Sequence, residues 1–321
     1  MRAILKQFIL PDEQSQKSFI QLLKNYGIAL FLVVVVNTSL VVPADEGIIF
    51  GLWDCQMFAT GSGRVCLFDK AGNIVRTAPT GNNADAWYLE NGNFLFADGN
   101  IKEYDSQGRL VWSFSPEVQE GGGAYSCQRL PNGNTVIGEN ASGRVVEVDS
   151  SGKIVFTLDT HPATQNAHDR MRMCRKLQNG NYLVCLKGDM KVKEFKPDGT
   201  VVWEHTFKNI TFAAVRLPNG HTMVSSLDQV TEVTPDGKEV WEFKTSDLPE
   251  LGLRNFCGLH VLSNGNIVIG NYAAYDKEGK GVGMFEITRD KKLVWAYVSP
   301  GRKDKSMMGV QKLDGDFNPM R

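Results

Sequence analysis

Leu130-Pro131-Asn132-Gly133-Asn134 is the stretch that decides the fold, because it recurs along the chain with little change. Asparagine and glycine tolerate positive φ, and Asn-Gly between alternating apolar runs is a strong hairpin signal. Each copy is therefore expected to be a two-residue turn between antiparallel strands. The six turns are Asn91-Gly92-Asn93, Asn132-Gly133-Asn134, Asn179-Gly180-Asn181, Asn219-Gly220-His221, Asn264-Gly265-Asn266 and the variant Asp314-Gly315-Asp316.

The leucine before each turn measures the repeat. The spacings between successive leucines are 41, 47, 40, 45 and 51 residues, taken from Leu89, Leu130, Leu177, Leu217, Leu262 and Leu313. A regular period in the range of about 20–50 residues indicates one supersecondary unit used repeatedly.

The remainder of each unit is equally regular. A third strand follows the hairpin, as in Val145-Val146-Glu147-Val148, and then a four-residue turn closed by glycine, as from Asp149 to Gly152. A fourth strand carries a large aromatic residue at one register. Four short antiparallel strands in a repeat of this length are typical of a β-propeller blade, because each sheet buries both faces only against its neighbours.

Two further registers repeat with the blades. A glutamate recurs on the third strands, where we expect it to pair with a basic residue of the neighbouring blade or with backbone, and the aromatic register is expected to pack blade against blade. The glutamates are Glu103, Glu147, Glu194, Glu232 and Glu286, and the aromatic residues are Trp112, Phe156, Trp203, Trp241 and Trp295.

The chain ends give the number of blades. Residues 47–78 carry only the later strands of a unit, whereas residues 307–316 carry only a first strand and its turn. The two parts complete one blade, so the sequence predicts an all-β, six-bladed propeller. In this ring the strand at residues 308–313 pairs with a strand within residues 48–60, which leaves no open sheet edge at the seam.

The first 44 residues differ from the repeats. Lysines precede an apolar run over residues 27–36, and small residues at Val42 and Ala44 fit a cleavage site. This pattern predicts a secretory signal over residues 1–44, cleaved after Ala44, ahead of a propeller over residues 45–321. An uncleaved N-terminal anchor is the alternative, and in either case the propeller is expected to be exported, to the periplasm or the extracellular space.

Charge excludes one class of partner. Of 35 basic and 36 acidic residues, four and two fall in the first 44, which leaves 31 and 34 in the propeller. A near-neutral body without a basic, aromatic-rich run is not expected to bind nucleic acid. Membrane contact is expected only through the N-terminal segment. No Cys-x-x-Cys with histidine companions is present, so we expect no metal site and no cofactor.

Six cysteines in an exported chain raise the question of disulfides. With a two-residue turn at Asn179-Gly180, Cys174 and Cys185 fall opposite each other, and Cys55 and Cys66 form a similar pair. The alternative is that these registers only require small residues, since Ala86 with Ala97 and Ala214 with Ser225 occupy the positions of Cys174 and Cys185 in other blades.

With its Glu-x-Asp-x-x-Gly-x-x-x-Trp and Asn-Gly-Asn repeats, the chain resembles the bacterial quinoprotein-like (PQQ-like) propellers over residues 47–321. This superfamily includes quinone-dependent dehydrogenases, outer-membrane assembly scaffolds and arylsulfotransferases. The resemblance implies the fold. The dehydrogenase branch uses calcium ligands, often a vicinal cysteine pair and usually eight blades, and this chain departs from it by having no adjacent cysteines and fewer blades.

Strand direction places a candidate site. The tight turns lie on one face, the turn face, and the longer connections between blades lie on the opposite face, the loop face, where binding groups usually occur. Its channel mouth is expected to be lined by residues that open the first strands. The candidate ligand-binding residues are Asp85, Tyr125, Arg170, Arg172, Arg254 and Asn255, with Asn82, Asn83, Asp169 and Phe212 nearby.

Arg170, Arg172 and Arg254 suit a carboxylate or sulfate, because guanidinium groups form paired hydrogen bonds with such anions. The alternative is that each arginine pairs with a local acid or lies solvated on the rim. His168 and His260 are candidate catalytic residues, since a histidine oriented by a carboxylate is a nucleophile or base. Arylsulfotransferase-like propellers resemble this in placing histidines just upstream of such hairpins. For His260 the alternative is a hydrogen-bonded strand residue, because its register elsewhere holds Trp87 and Gln128.

These observations support two hypotheses. The first is an exported binding module for a small anionic or glycan ligand or a partner protein. The second is an arylsulfotransferase-like or lyase-like enzyme that acts on sulfated or carboxylated substrates through His168 and the three arginines.

Overall fold

The computed structural model describes residues 48–51, 53, 55–81 and 85–314. They form a six-bladed β-propeller, as the sequence predicts, with four-stranded antiparallel blades arranged in a ring around a central channel. The N-terminal segment over residues 1–44 lies outside the described residues. Asn82 and Asn83 also lie outside them.

Each blade runs from an inner strand at the channel to an outer strand at the rim. Blade 1 contains β25 (Val310–Leu313), β2 (Gln56–Gly61), β3 (Arg64–Phe68) and β4 (Ile74–Pro79). Blade 2 contains β5 (Asp85–Tyr88), β6 (Phe94–Ala97), β7 (Ile101–Tyr104) and β8 (Leu110–Phe114). Blade 3 contains β9 (Ala124–Arg129), β10 (Thr135–Glu139), β11 (Arg144–Val148) and β12 (Ile154–Asp159).

The second half of the ring follows the same order. Blade 4 contains β13 (Cys174–Lys176), β14 (Tyr182–Leu186), β15 (Lys191–Phe195) and β16 (Val201–Thr206). Blade 5 contains β17 (Thr211–Arg216), β18 (Thr222–Ser226), β19 (Gln229–Val233) and β20 (Glu239–Lys244). Blade 6 contains β21 (Asn255–Val261), β22 (Ile267–Tyr272), β23 (Met284–Ile287) and β24 (Leu293–Val298), with β1 (Ile48–Gly51) added outside β24.

Short 3-10 turns occur in the connections between blades, all on the loop face. They are Glu120–Gly122, Ala167–Asp169, Thr245–Asp247, Pro249–Leu251 and Pro300–Arg302.

The core is divided among the interfaces between blades. Each large apolar cluster draws on two neighbouring blades, as where Val136 of blade 3 packs with Val184 of blade 4. This distribution follows from the repeat, because a thin four-stranded sheet has two apolar faces and no core of its own.

The predicted closure of the ring is confirmed. β25 pairs antiparallel with β2, with Gln56 opposite Leu313 and Ala59 opposite Val310. Thr60 Oγ1 accepts hydrogen bonds from the backbone of Met308 at 2.7 Å and Gly309 at 3.0 Å. The expected stretch of residues 48–60 is divided in the structure, because β1 pairs with β24 of blade 6 while β2 pairs with β25.

The Asn-Gly turns differ from the expected two-residue form. In the copy at Asn179, Leu177 pairs with Asn181 through a backbone bond of 2.8 Å, and Gly180 donates to the carbonyl of Leu177 at 2.9 Å. The loop therefore has three residues. Gly180 has φ 84°, whereas Asn179 is not among the residues with positive φ, so only the glycine takes the left-handed conformation.

The cysteine pairing expected from a two-residue turn is wrong. The extra loop residue shifts the register by one, so that Cys174 lies opposite Val184 and not opposite Cys185. Cys66 lies opposite Ala59, not Cys55. All six cysteines are buried, and no disulfide joins them in the described part of the chain. Small-residue packing, the other alternative, is the one that the structure supports.

The glutamates confirm the expected pairing with neighbouring blades. Glu103 bonds to Arg129 of blade 3, and Glu194 bonds to Arg216 of blade 5 at 2.7 Å. The other glutamates each pair with a basic residue of the next blade, the last of them between blades 6 and 1. These pairs are Glu147 with Lys176, Glu232 with Arg289 and Glu286 with Lys312.

The aromatic register lies beside these ion pairs. The Arg289 guanidinium is 4.4 Å from the centre of the Trp241 ring, and Trp241 Nε1 donates to the carbonyl of Arg289 at 2.9 Å. Arg129 covers Trp112 and Arg216 covers Trp203, each at 5.4 Å. The aromatic residues thus pack blade against blade, as expected.

Candidate functional site

The central channel is a cavity of about 1190 Å³, lined by the inner strands of all six blades. It runs from the turn face to the loop face, because its lining includes both the residues that open the inner strands, such as Tyr125, and those next to the Asn-Gly turns, such as Asn132. Its size is comparable with that of small-molecule sites, which measure about 300–1,000 Å³.

At the loop-face mouth, Tyr125 and His168 form a polar pair. The Tyr125 hydroxyl lies 2.9 Å from His168 Nδ1 and donates to the carbonyl of Gly121 at 3.1 Å. His168 belongs to a 3-10 turn capped by Asn166, whose side chain accepts from the His168 amide at 3.2 Å. The cap fixes the turn and so aims the imidazole at Tyr125.

Both groups are neutral near pH 7. Burial raises the pKa of the Tyr125 hydroxyl, against the effect of Arg172. Burial also lowers the pKa of His168, and the charges of Lys187 and Arg172 lower it further. A neutral imidazole can accept a proton, whereas an imidazolium cannot.

Arg172 is the cation that lines the mouth. Its guanidinium lies 4.4 Å from the centre of the Tyr125 ring and 5.9 Å from that of Phe212. Within the described part of the chain it forms no ion pair. The aromatic rings hold the guanidinium in place, while no carboxylate of the described residues compensates its charge.

Lys187 and Asp169 form an ion pair beside His168. Lys187 is buried, and Asp169 also accepts from the side-chain Nδ2 of Asn166 at 2.7 Å. Asp169 therefore neutralises Lys187, and the pair holds the loop that carries His168 against the end of β14.

Asp85 is engaged within the ring. Its carboxylate accepts from Arg175 at 2.7 and 3.0 Å, from the Cys127 amide at 3.1 Å and from Ser126 Oγ at 3.2 Å. It therefore joins blade 2 to blades 3 and 4 beneath the mouth, and Arg175 cancels its charge.

Arg170, Arg254 and His168 are not among the channel-lining residues, and His168 reaches the mouth only through its contact with Tyr125. Arg170 donates to the carbonyls of Ala141 and Gln165, and Arg254 pairs with Asp276 at 3.2 Å. Asn255 donates to the Tyr272 carbonyl at 3.1 Å. The structure thus brings Arg172, Tyr125 and His168 together, while the other two arginines bond to surrounding loops.

His260 lies deeper in the channel. Its Nδ1 accepts a hydrogen bond from the Lys312 amide at 2.9 Å. Residues at the same register bond in the same way to the next inner strand: Gln128 accepts from the Lys176 amide at 2.8 Å, and Trp87 donates to the Cys127 carbonyl at 2.6 Å. His260 thus belongs to a set of side chains that link neighbouring inner strands.

Sequence reasoning missed Lys187, Cys257 and Met308 at this end of the channel. Lys187 lies in a turn with no repeated register, so no pattern pointed to it. Cys257 and Met308 lie five positions before Leu262 and Leu313, as Tyr125 lies before Leu130, so counting back from each turn leucine would have found both.

Two absences concern the described residues alone. Among residues 48–51, 53, 55–81 and 85–314, no cluster of three or more His, Cys, Asp or Glu side chains is placed to hold a metal ion. In the same part of the chain, no helix has the length and apolar character needed to cross a membrane.

Comparison with known proteins identifies the fold. No protein-family model matches the chain, and no curated protein matches it significantly. A Bacteroides caccae protein of unknown function is 22% identical with a TM-score of 0.70, over 81% of this chain and 99% of that one. A streptogramin B lyase is 12% identical with a TM-score of 0.54, over 80% and 85% of the respective chains.

A third structure is the extracellular domain of a hybrid two-component system from B. thetaiotaomicron. It is 16% identical with a TM-score of 0.54, over 88% of this chain and 38% of that one. These identities show a shared β-propeller fold and no more.

Proposed function

We propose that this protein is an exported binding module for a small anionic ligand, held at the loop-face mouth of the channel. The observation that carries the proposal is Arg172, which faces the channel between Tyr125 and Phe212 without an ion pair among the described residues. Arginine suits a carboxylate or sulfate because its planar group donates two parallel hydrogen bonds.

The surroundings of Arg172 favour an anion over a cation. Asp85 and Asp169, the carboxylates near the mouth, are already bonded to Arg175 and Lys187. Their charges are cancelled, so Arg172 supplies the net charge of the site. A ligand that binds only the folded state stabilises it by mass action.

The test is the melting temperature of the protein with sulfate or glucuronate. We expect either anion to raise the melting temperature of the wild type and of His168→Ala, and Arg172→Ala to lose most of the rise. Arg170→Ala is the matched control, since Arg170 bonds to backbone carbonyls of its own loops and should retain the rise. An unchanged wild-type melting point, or an Arg172→Ala variant that responds like the wild type, would contradict the proposal.

A lyase-like or transferase-like enzyme is the second candidate, favoured by the 2.9 Å contact between His168 and the Tyr125 hydroxyl. The neutral imidazole is a candidate base, and Arg172 would stabilise negative charge on a substrate. One structure of similar fold is a catalytically inactive histidine-to-alanine variant of virginiamycin B lyase from Staphylococcus aureus with quinupristin, at 12% identity and a TM-score of 0.53.

The enzyme hypothesis predicts turnover. Incubation with quinupristin, or with an aryl sulfate and an acceptor phenol, should give a new product, resolved by chromatography, with the wild type and none with His168→Ala. Anion binding without any product in the wild type supports the binding module instead. The resemblance to the quinoprotein-like superfamily, which includes arylsulfotransferases, is proposed only as part of this second candidate function.

A further inference from the structure

The loop-face mouth is built from one register of the repeat. Five positions before each turn leucine, five blades place a side chain in the channel lining, and residue 84 of blade 2 lies outside the described residues. We call these side chains the mouth ring; they are Tyr125, Arg172, Phe212, Cys257 and Met308.

The mouth ring has a polar half and an apolar half. Blades 3 and 4 supply Tyr125 and Arg172, whereas blades 5, 6 and 1, which follow one another around the ring, supply Phe212, Cys257 and Met308. These last three form an apolar cluster of their own, separate from the clusters between blades. Burial raises the pKa of the Cys257 thiol to about 12, so the thiol stays uncharged. We call Phe212, Cys257 and Met308 together the apolar wall.

The two halves meet at Arg172. Its guanidinium contacts Tyr125 on one side and Phe212 on the other, at 4.4 and 5.9 Å from the ring centres. An anionic group bound to Arg172 would therefore have the apolar wall beside it. Any part of the ligand that extends across the mouth must lie against Phe212 and Met308.

We propose that the ligand is an amphipathic monocarboxylate, with its carboxylate on Arg172 and an apolar body against Phe212, Cys257 and Met308; this rests on the proposed function. A sugar acid fits less well, because its hydroxyl groups would lose water against the apolar side chains of Phe212 and Met308. An apolar body gains free energy in the same position, since each buried methylene contributes to the hydrophobic effect.

The test is calorimetric titration of the full chain at neutral pH with acetate, butanoate, hexanoate and octanoate, and with glucuronate. We expect the affinity to rise by up to about fourfold per added methylene. Glucuronate should bind no more tightly than acetate. Arg172→Gln should abolish binding of every acid, because the carboxylate loses its partner.

Variants of the apolar wall separate its role from that of Arg172. Phe212→Ala and Met308→Gln should each reduce the gain in affinity per methylene, and Phe212→Ala should also weaken acetate binding, because Phe212 contacts the Arg172 guanidinium. Val240→Ala, at an exposed position of an outer strand, is the matched control and should behave like the wild type. Melting curves identify any variant that fails to fold, and either wall variant alone is sufficient for the test.

The outcomes distinguish this inference from the proposed function. The amphipathic ligand is excluded if the acids bind with equal affinity whatever their length, or if the dependence on chain length persists in Arg172→Gln. In that case, acetate binding to the wild type decides whether a simple anion site remains. If none of the acids binds and sulfate gives no shift, the proposed function fails as well.

Discussion

His168 gives the loop-face mouth a dependence on pH. Burial and the nearby charges of Lys187 and Arg172 lower its pKa below the ordinary value of about 6.5, while Asp169 acts in the opposite direction. The imidazole is therefore neutral at pH 7 and above, and it gains a proton only as the pH falls below its ordinary value. An anion on Arg172 favours that proton.

We expect anion binding to become about three- to tenfold tighter between pH 8 and pH 5, because the imidazolium adds a second positive charge to the mouth. The measurement is the dissociation constant of sulfate across this range, since sulfate does not titrate there. His168→Gln should give a flat profile. An equally steep profile in this variant would show that the pH dependence arises elsewhere.

Substitution of Glu286 measures how much an ion pair between blades contributes to stability. It is buried where blade 6 meets blade 1 and accepts bonds from Lys312, Trp295 Nε1 and Asn266, each at 2.7 Å. Glu286→Ala should lower the free energy of unfolding by about 3–5 kcal/mol, because it leaves the Lys312 charge buried without a partner. Urea denaturation provides the measurement.

The control for Glu286 is an ion pair in solvent. Glu242 pairs with Lys244 at 2.6 Å, and both side chains are exposed. Glu242→Ala should lower the free energy of unfolding much less than Glu286→Ala. A similar loss in the two variants would mean that burial does not set the strength of the pairs between blades.

At the scale of the strands, the sequence predicts the repeat, the blade count and the closing pair because these depend on apolar periodicity and turn residues. It does not predict the loop length at Asn179, since Asn-Gly fits both a two-residue turn and a three-residue turn with glycine in the left-handed position. This one-residue difference decides what lies opposite Cys174.

The site is less predictable for a related reason. Arg172 and Tyr125 follow from strand direction, because they open inner strands at the channel. Arg170 and Arg254 are also arginines and lie near the starts of inner strands in sequence. The directions of their side chains, however, depend on loop conformations that the repeat does not determine. Lys187 reaches the mouth only through its contact with Asp169, a tertiary contact without a local signal.

Removing β25 tests closure directly. Deletion of residues 307–321 leaves β2 without its inner partner and removes the contacts of β25 with β21 and β5 on either side. We expect the truncated chain to lose cooperative unfolding, monitored by circular dichroism on heating. A truncated chain that melts like the intact protein would show that the ring does not depend on this strand.

At the scale of the whole molecule, the leader is expected to be dispensable for folding. Residues 1–44 share no register with the blades, so a chain that starts at residue 45 should melt at the same temperature and bind the same anions as the full chain. N-terminal sequencing of the exported protein should give Asp45. A first residue at Met1 would favour the uncleaved anchor.

The position of β25 in the sequence also determines when blade 1 can be completed during synthesis. Blade 1 takes its inner strand from Val310–Leu313, which leaves the ribosome after the other strands of the ring, so Met57, Phe58 and Ala59, which are buried in the complete ring, stay uncovered until β25 has been made. Blades 2 to 5 are each contiguous in sequence and can form as they emerge. A chain stalled on the ribosome before Val310 would therefore form a nearly complete ring in which β2 has an unpaired edge. An unpaired strand edge is the kind of surface that chaperones recognise.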